Sequence, residues 1–412
     1  LQRLMHPCAT PFACLGRGPP VRQRNKTEEN EQAQNVKTVN GFHQSRSGVR
    51  GLGRGSFVPL TPDPSPPKRG RGEIVTCPSP NDDPAGPSPA PLPLSIVIPS
   101  HNRADLLRTC LTTVMRHRPP GTQVIVVDDG SPGGAASGAA GGFAGVEIVK
   151  LERRCGFCVA ANAGIHVARG AIVELLNDDT EVTEGWADAA LAGFDDPLVG
   201  AVAPLVLCRP GADAALQIDS AGDCYYLGGV AGKRGHRQPL GPAYLHRRHV
   251  FGASASSAFF RREAILRAGA FPESFVAYFE DVDLAFRLHW AGYQVLFEPA
   301  SRVFHHVSAS YGRPQRRLLE RQSQNEERVF WRNLPGRTLL RSLPLHFAVL
   351  AGKAWRRWQE GSLMPFICGR LRVLGELSAM ASHRRWLRSL GPGKGAAGTG
   401  LNSWHIDHRF LV

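Results

Sequence analysis

From Leu94 onward the chain alternates short apolar runs with amphipathic stretches, and this rhythm constrains the fold more than any other feature. Residues 94–98, 124–127, 146–151 and 171–176 are brief and mostly apolar, the pattern of strands buried on both faces. Between the first two, residues 104–117 carry Leu106, Leu107, Leu111, Val114 and Met115 at helical spacing, and residues 159–168 form a second helical segment. Strand–helix–strand order implies a parallel sheet with helices on both faces. Such sheets bind ligands beyond the carboxyl ends of their strands. Ser100, Asp128, Asp129 and Asp179 fall at those ends. Residues 199–206 predict a further strand and 262–268 a helix stopped by Gly269, with a glycine-rich loop or hairpin across 219–242.

The flanks differ from this middle. Residues 1–58 lack apolar periodicity, and 12 prolines crowd the 35 residues 59–93. Proline withholds a backbone donor and such a segment has little to bury, so residues 1–92 are expected to be disordered. Residues 313–412 read as a basic helical extension. A charged helix pattern covers 316–331, and amphipathic patterns cover 339–358 and 371–386. Residues 391–400 are glycine-rich and predict a flexible stretch. The formal charge of +14 is unevenly spread, with a net of −3 over 93–312 and +12 over 313–412.

Basic tails meet phosphates, of nucleic acid or of a membrane surface. Trp355, Trp358 and Trp386 stand beside Arg356, Arg357, Arg384 and Arg385, and Trp next to Arg suits a lipid headgroup boundary. No nucleic-acid-binding module accompanies the charge. An anionic membrane surface is therefore the expected partner of the tail, and nucleic acid is not. No run reaches the length of a membrane span. Nine scattered cysteines, an odd number, argue for a reducing compartment. Cys155 and Cys158 form a CxxC with no second ligand pair, so they pad a loop. The expected location is cytoplasmic, peripheral on the inner face of the membrane.

Residues 278–287 read YFEDVDLAFR and place Glu280, Asp281 and Asp283 at the start of a helix. Asp281 sits where a cap accepts hydrogen bonds from free backbone N–H groups, and acids suit the positive end of a helix. One acid suffices for that, yet two follow an aromatic pair. A carboxylate fixed at a pocket mouth could take a proton from a hydroxyl. A capped helix with an Asp283–Arg287 pair one turn apart is the alternative, and the segment alone leaves both open.

The remaining motifs bear on that choice. They are LSIVIPSHNRADLLRTCL from Leu94, VIVVDDGSPGG from Val124, GFCVAANAGI from Gly156, ELLNDDTEV from Glu174 and VFHHVSAS from Val303. In this order and spacing, with the acid pair, they resemble an inverting family-2 glycosyltransferase of the GT-A fold. The likeness is to the bacterial rhamnosyltransferase-like branch and covers residues 94–312. It implies an α/β domain, 93–312, with a mostly parallel sheet flanked by helices. It implies a nucleotide-sugar donor, a glycan or lipid-linked acceptor, and a role in cell-surface polysaccharide assembly.

The resemblance also assigns roles. Pro99, Ser100, Asn102 and Arg103 after the first strand, and Asp128 and Asp129 after the second, would hold base and ribose. Asn162 and Asp178 would join the nucleotide-sugar site. Asn177 and Asp179 match a DxD-like motif for Mg²⁺ or Mn²⁺, with an amide at the first position where a carboxylate would bind more strongly. His305 or His306 would be the third metal ligand, His305 being preferred. Asp281 would be the catalytic base and Glu280 its support. One base and no nucleophile imply inversion by a single displacement.

Three other classes compete. A Rossmann oxidoreductase needs G-x-G-x-x-G after the first strand, where this chain reads PSHNRADL. A sugar-1-phosphate nucleotidyltransferase needs a glycine-rich basic loop there. An inactive sugar-nucleotide-binding scaffold would fit Asn177, but Asp179, Glu280, Asp281 and His305 are all retained.

Overall fold

A computed structural model describes residues 94–209, 215–306, 316–391 and 405–406. The expected disorder of 1–92 and nearly all of the glycine-rich stretch 391–400 lie outside the described residues. Along the chain come β1 (Leu94–Ser100), α1 (Ala104–His117), β2 (Gln123–Asp128), α2 (Ala135–Ala140), β3 (Val146–Lys150), α3 (Phe157–Val167), β4 (Ile172–Leu176) and β5 (Thr180–Val182). Then follow α4 (Trp186–Leu191), β6 (Val199–Cys208), β7 (Ile218–Ser220), β8 (Asp223–Tyr226), β9 (Val230–Lys233), β10 (Arg248–Val250), β11 (Ser257–Arg261) and α5 (Arg262–Arg267). The order closes with α6 (Glu280–Trp290), β12 (Gln294–His305), α7 (Arg316–Asn333), α8 (Gly336–Gln359), α9 (Leu363–Arg372) and α10 (Leu377–Leu390).

The main sheet runs β10-β12-β6-β11-β4-β1-β2-β3, with β5 beside β12 and β7 beside β6. β1 pairs in parallel with β2 and β4, β2 with β3, and β12 with β6. β11 lies antiparallel between β4 and β6, so those two point the same way. This is the mostly parallel sheet between helices expected of a GT-A domain. Strand alternation divides the core. Ile96 and Ile98 pack with Leu107 and Leu111 of α1, whereas Val97 packs with Ala161 and Ile165 of α3. Parallel pairing sets the carboxyl ends of β1, β2 and β4 side by side, so their loops meet.

The basic extension is built onto this core. Val329 and Phe330 of α7 are buried in the cluster that includes Phe275, Phe286 and Phe297. The expected single helix over 371–386 is instead two helices. α9 ends at Arg372, a 3₁₀ turn spans Val373–Glu376, and α10 begins at Leu377.

The expected Asp283–Arg287 pair forms, with Arg287 Nε donating to Asp283 at 2.8 Å. Asp283 also accepts from Asn333 Nδ2 at 2.6 Å and faces Arg332 Nε at 3.2 Å. Burial opposes its charge, but Arg332 and Arg287 outweigh that and hold the carboxyl at about 2. Asp283 thus ties α6 to α7.

Candidate active site

The loops after β1 and β2 are held by their own polar side chains. Asp128 accepts from the N–H groups of Ser131 at 2.8 Å and Ser137 at 2.9 Å, and from the Ser137 hydroxyl. Asp129 accepts from the N–H groups of Cys155 at 2.6 Å and Gly156 at 2.9 Å. The next residue is glycine by necessity: Gly130 has φ +63°, and a Cβ there would lie 2.3 Å from the Arg153 carbonyl carbon. Asn162 donates to Phe271 O and accepts from Phe271 N–H, each at 2.9 Å. Asp128, Asp129 and Asn162, all expected at the nucleotide-sugar site, each brace backbone here.

Other expected residues do converge. Pro99 and Ser100 close β1. The Ser100 hydroxyl donates to Asp178 at 2.7 Å, and the Asn102 N–H donates to Ser131 Oγ at 2.9 Å. Arg103 bridges both acids after β4, reaching Asp178 Oδ1 at 2.9 Å and Asp179 Oδ2 at 2.8 Å. Burial lifts Asp178 to about 6, against the pull of Arg103. Asn177 enters through its backbone, its N–H donating to Ser256 O and its carbonyl accepting from Thr180 Oγ1.

β12 brings His305 to Asp179, with Nε2 3.1 Å from Asp179 Oδ1. His306 turns instead to Glu181 at 2.7 Å. The strand ends at His305, and His306 meets Asp179 through its N–H, which donates to the Asp179 carbonyl at 2.9 Å. His305 Nδ1 lies 3.0 Å from Asp219 Oδ2, and Lys233 Nζ donates to the same oxygen at 2.8 Å. Burial disfavours a charged ring, but the bonds to Asp179 and Asp219 outweigh it and lift His305 to about 9. Burial likewise opposes charge on Asp179, yet His305 and Arg103 hold it below the ordinary carboxylate range.

Asp179 and His305 are donor types that divalent cations take, and in this structure they pair with each other. Asp219 occupies Nδ1 and leaves Nε2 turned to Asp179, the carboxylate–histidine arrangement that orients a metal-binding ring. Among the described residues no three His, Cys, Asp or Glu side chains converge on one point.

The acid pair sits on a strained turn. Val276, Tyr278 and Phe279 have φ of 63°, 74° and 65°. Such left-handed conformations cost non-glycine residues of order 1–3 kcal/mol each and persist only where surroundings enforce them. Asn325 of α7, wholly buried, does so. Its Nδ2 donates to the carbonyls of Phe275, Ala277 and Tyr278 at 3.0, 3.1 and 3.0 Å. Asn325→Ala would leave these acceptors without their donor, with an expected loss of about 1–3 kcal/mol. Thermal unfolding checks it, and an unchanged Tm overturns the role of Asn325.

The turn also corrects the capping expectation. Phe279 precedes the helix, and Asp281 lies within its first turn. Asp281 accepts instead from the N–H groups of Ala255 at 3.2 Å and Val282 at 2.8 Å. Desolvation raises its pKa, and those N–H groups and Lys233 oppose the rise. Glu280 is buried, and burial with the charge of Asp281 and Asp223 pushes its carboxyl well above the ordinary range.

Asp219, Asp223, Lys233 and Asn325 were not singled out by the sequence. The first three come from the glycine-rich segment across β7–β9, which carries no motif, and Asn325 from the extension. Only the fold reveals that Lys233 lies near enough to favour charge on Asp281 and Asp223.

A model of the glycosyl transferase family 2 matches residues 95–266, which include the loops after β1, β2 and β4 and end before Glu280. The N-acetylglucosaminyl-diphospho-decaprenol L-rhamnosyltransferase of Mycobacterium tuberculosis is 30% identical over 213 residues, or 46% of this chain and 68% of that protein. The pre-mycofactocin glycosyltransferase of the same organism is 31% identical over 213 residues, 51% of this chain and 42% of its own. The O-antigen biosynthesis protein RfbC of Myxococcus xanthus is 28% identical over 226 residues, 52% of this chain and 17% of its own. The chain thus spans less than half the length of several curated relatives it matches. Identity sustained through two thirds of a rhamnosyltransferase is more than a shared strand–helix rhythm produces, and this chain belongs to glycosyl transferase family 2.

Proposed function

We propose that this protein moves a sugar, with inversion, from a nucleoside diphosphate sugar to a hydroxyl of a glycan or lipid-linked acceptor. The setting is assembly of bacterial cell-surface polysaccharide. The likeness to a protein named for O-antigen biosynthesis supports that setting. The likeness to a rhamnosyltransferase named for a diphospho-decaprenol supports a lipid-linked acceptor and a deoxyhexose donor.

One observation carries the reading: two adjacent acids have different access. Glu280 is only 6% exposed, whereas Asp281 is partly exposed. Asp281 is held by two N–H groups and raised by desolvation toward the range where a carboxylate can accept a proton. The acceptor oxygen forms a bond to the anomeric carbon, its proton passes to Asp281, and the bond to the diphosphate oxygen breaks with its electron pair. Glu280 supports Asp281 from below. Asp179 and His305, with Asn177 beside them, would hold Mg²⁺ or Mn²⁺. When bound, such an ion neutralises charge on the leaving diphosphate.

The test is release of nucleoside diphosphate from a panel of nucleotide sugars with acceptor, over a pH series. The raised pKa places the acidic limb above the ordinary carboxylate range, because below it Asp281 already carries its proton. Lys233→Met removes a cation that favours the charged form, so the limb moves further up. Donor and product of the same anomeric configuration would overturn inversion.

A further inference from the structure

α8 docks through a mixed side, on which Leu339 and Leu343 pack against the core beside buried polar groups. Ser342 and His346 are buried, His346 stacks on Phe330 with centroids 3.6 Å apart, and its Nδ1 donates to Gly228 O at 2.9 Å. Lys353, on the same side, donates to Glu326 of α7. A second apolar stripe points outward. It comprises Leu340, Pro344, Phe347, Ala351, Trp355 and Trp358, spaced by three or four residues along one face and all exposed. Of the eleven large apolar side chains exposed among the described residues, eight lie between Leu340 and Leu377. An ordinary surface helix buries its apolar residues on one face, whereas α8 presents Phe347, Trp355 and Trp358 to solvent as well. A contiguous apolar patch of this kind marks an interaction surface.

Charge selects the occupant. The acids of α7, of α8's C-terminal cap and of the 3₁₀ turn are all paired internally: Glu320, Glu326, Glu327, Glu360 and Glu376 each contact Arg or Lys. What remains outward is cationic, with Arg337 and Arg341 exposed beside the stripe and Arg385 and Arg388 exposed on α10. A second copy would bring the same arginine-flanked face against itself, like charge on like. We propose that this face is a docking surface for an anionic bilayer: Phe347, Trp355 and Trp358 enter the headgroup boundary and the arginines meet lipid phosphates. Among the described residues no helix is long and apolar enough to cross a membrane, so the attachment lies in the interface plane.

The test is flotation of the full chain with phosphatidylcholine vesicles, with and without phosphatidylglycerol. The protein is expected to float with the anionic vesicles, and salt to weaken binding only in part, because apolar insertion is not screened. Phe347→Ser/Trp355→Ser/Trp358→Ser should lower the bound fraction about tenfold or more, since binding scales with buried apolar area. Arg337→Glu/Arg341→Glu should lower it and flatten the salt dependence. Both variants should stay folded and keep donor turnover, as Phe347, Trp355 and Trp358 are more than half exposed, Arg337 and Arg341 are exposed, and all lie outside the site. Equal flotation of wild type and the triple variant, or no flotation of wild type, overturns the proposal. So does a wild-type dimer in solution that the triple variant converts to monomer, because the stripe would then be covered by a second copy.

Discussion

Replacing Asp281 by Asn should leave a folded protein that binds donor and transfers sugar about 10²–10⁴-fold more slowly, the typical share of general base catalysis. The side chain keeps its size and one acceptor oxygen for the N–H of Ala255 or Val282. It loses the ability to take a proton. Stability should not fall, because a carboxylate raised by desolvation beside two other acids gains nothing from being charged. Glu280→Gln should cost less, since Glu280 is sealed from solvent and acts through its neighbour. Steady-state transfer and donor-binding isotherms on both variants decide the matter. A wild-type rate for Asp281→Asn with a dead Glu280→Gln would exchange the two roles. Wild-type rates in both would make the pair structural and the mechanism wrong.

The second large effect is expected at Asp179. Asp179→Ala should reduce donor turnover by roughly 10³-fold, as loss of several kcal/mol of charge stabilisation implies at 1.36 kcal/mol per decade. Asp179 is the carboxylate on which Arg103 and His305 converge, so its loss removes one partner of each, leaving them Asp178 and Asp219. A readout independent of turnover is available: Mn²⁺ alone should raise the Tm of the wild type and leave that of Asp179→Asn unchanged. Full activity of Asp179→Ala in excess chelator would remove the metal from the proposal.

Much of the fold was legible because it rests on local period. The helix over 104–117 was read at its observed bounds from one apolar stripe, and the buried strands β1, β2 and β4 from short apolar runs, whereas β3, read the same way, is a partly exposed edge strand. The site was legible only as a set of addresses. Three acids within four residues look alike in sequence, yet they part company in the fold. Asp283 is taken by Arg287, Arg332 and Asn333, Glu280 is sealed, and Asp281 stays partly exposed. Asp128 and Asp129 stood at the right strand ends and turned out to hold loop backbone.

What the sequence determined by itself was therefore the strand–helix order, the strand ends at which chemistry is placed, and the uneven charge. Hydrophobic period is a property of neighbours in the chain, and so are the turns that end each strand. The tertiary structure alone decided which side chains meet. It set the ring of His305 rather than that of His306 against Asp179, brought Asp219 and Lys233 from a segment without a motif, and turned α8 so that one apolar stripe faces out. A period shows that a helix has two faces. Which one is covered depends on contacts made by residues far along the chain, here Phe330, Glu326 and Gly228 with His346 and Lys353.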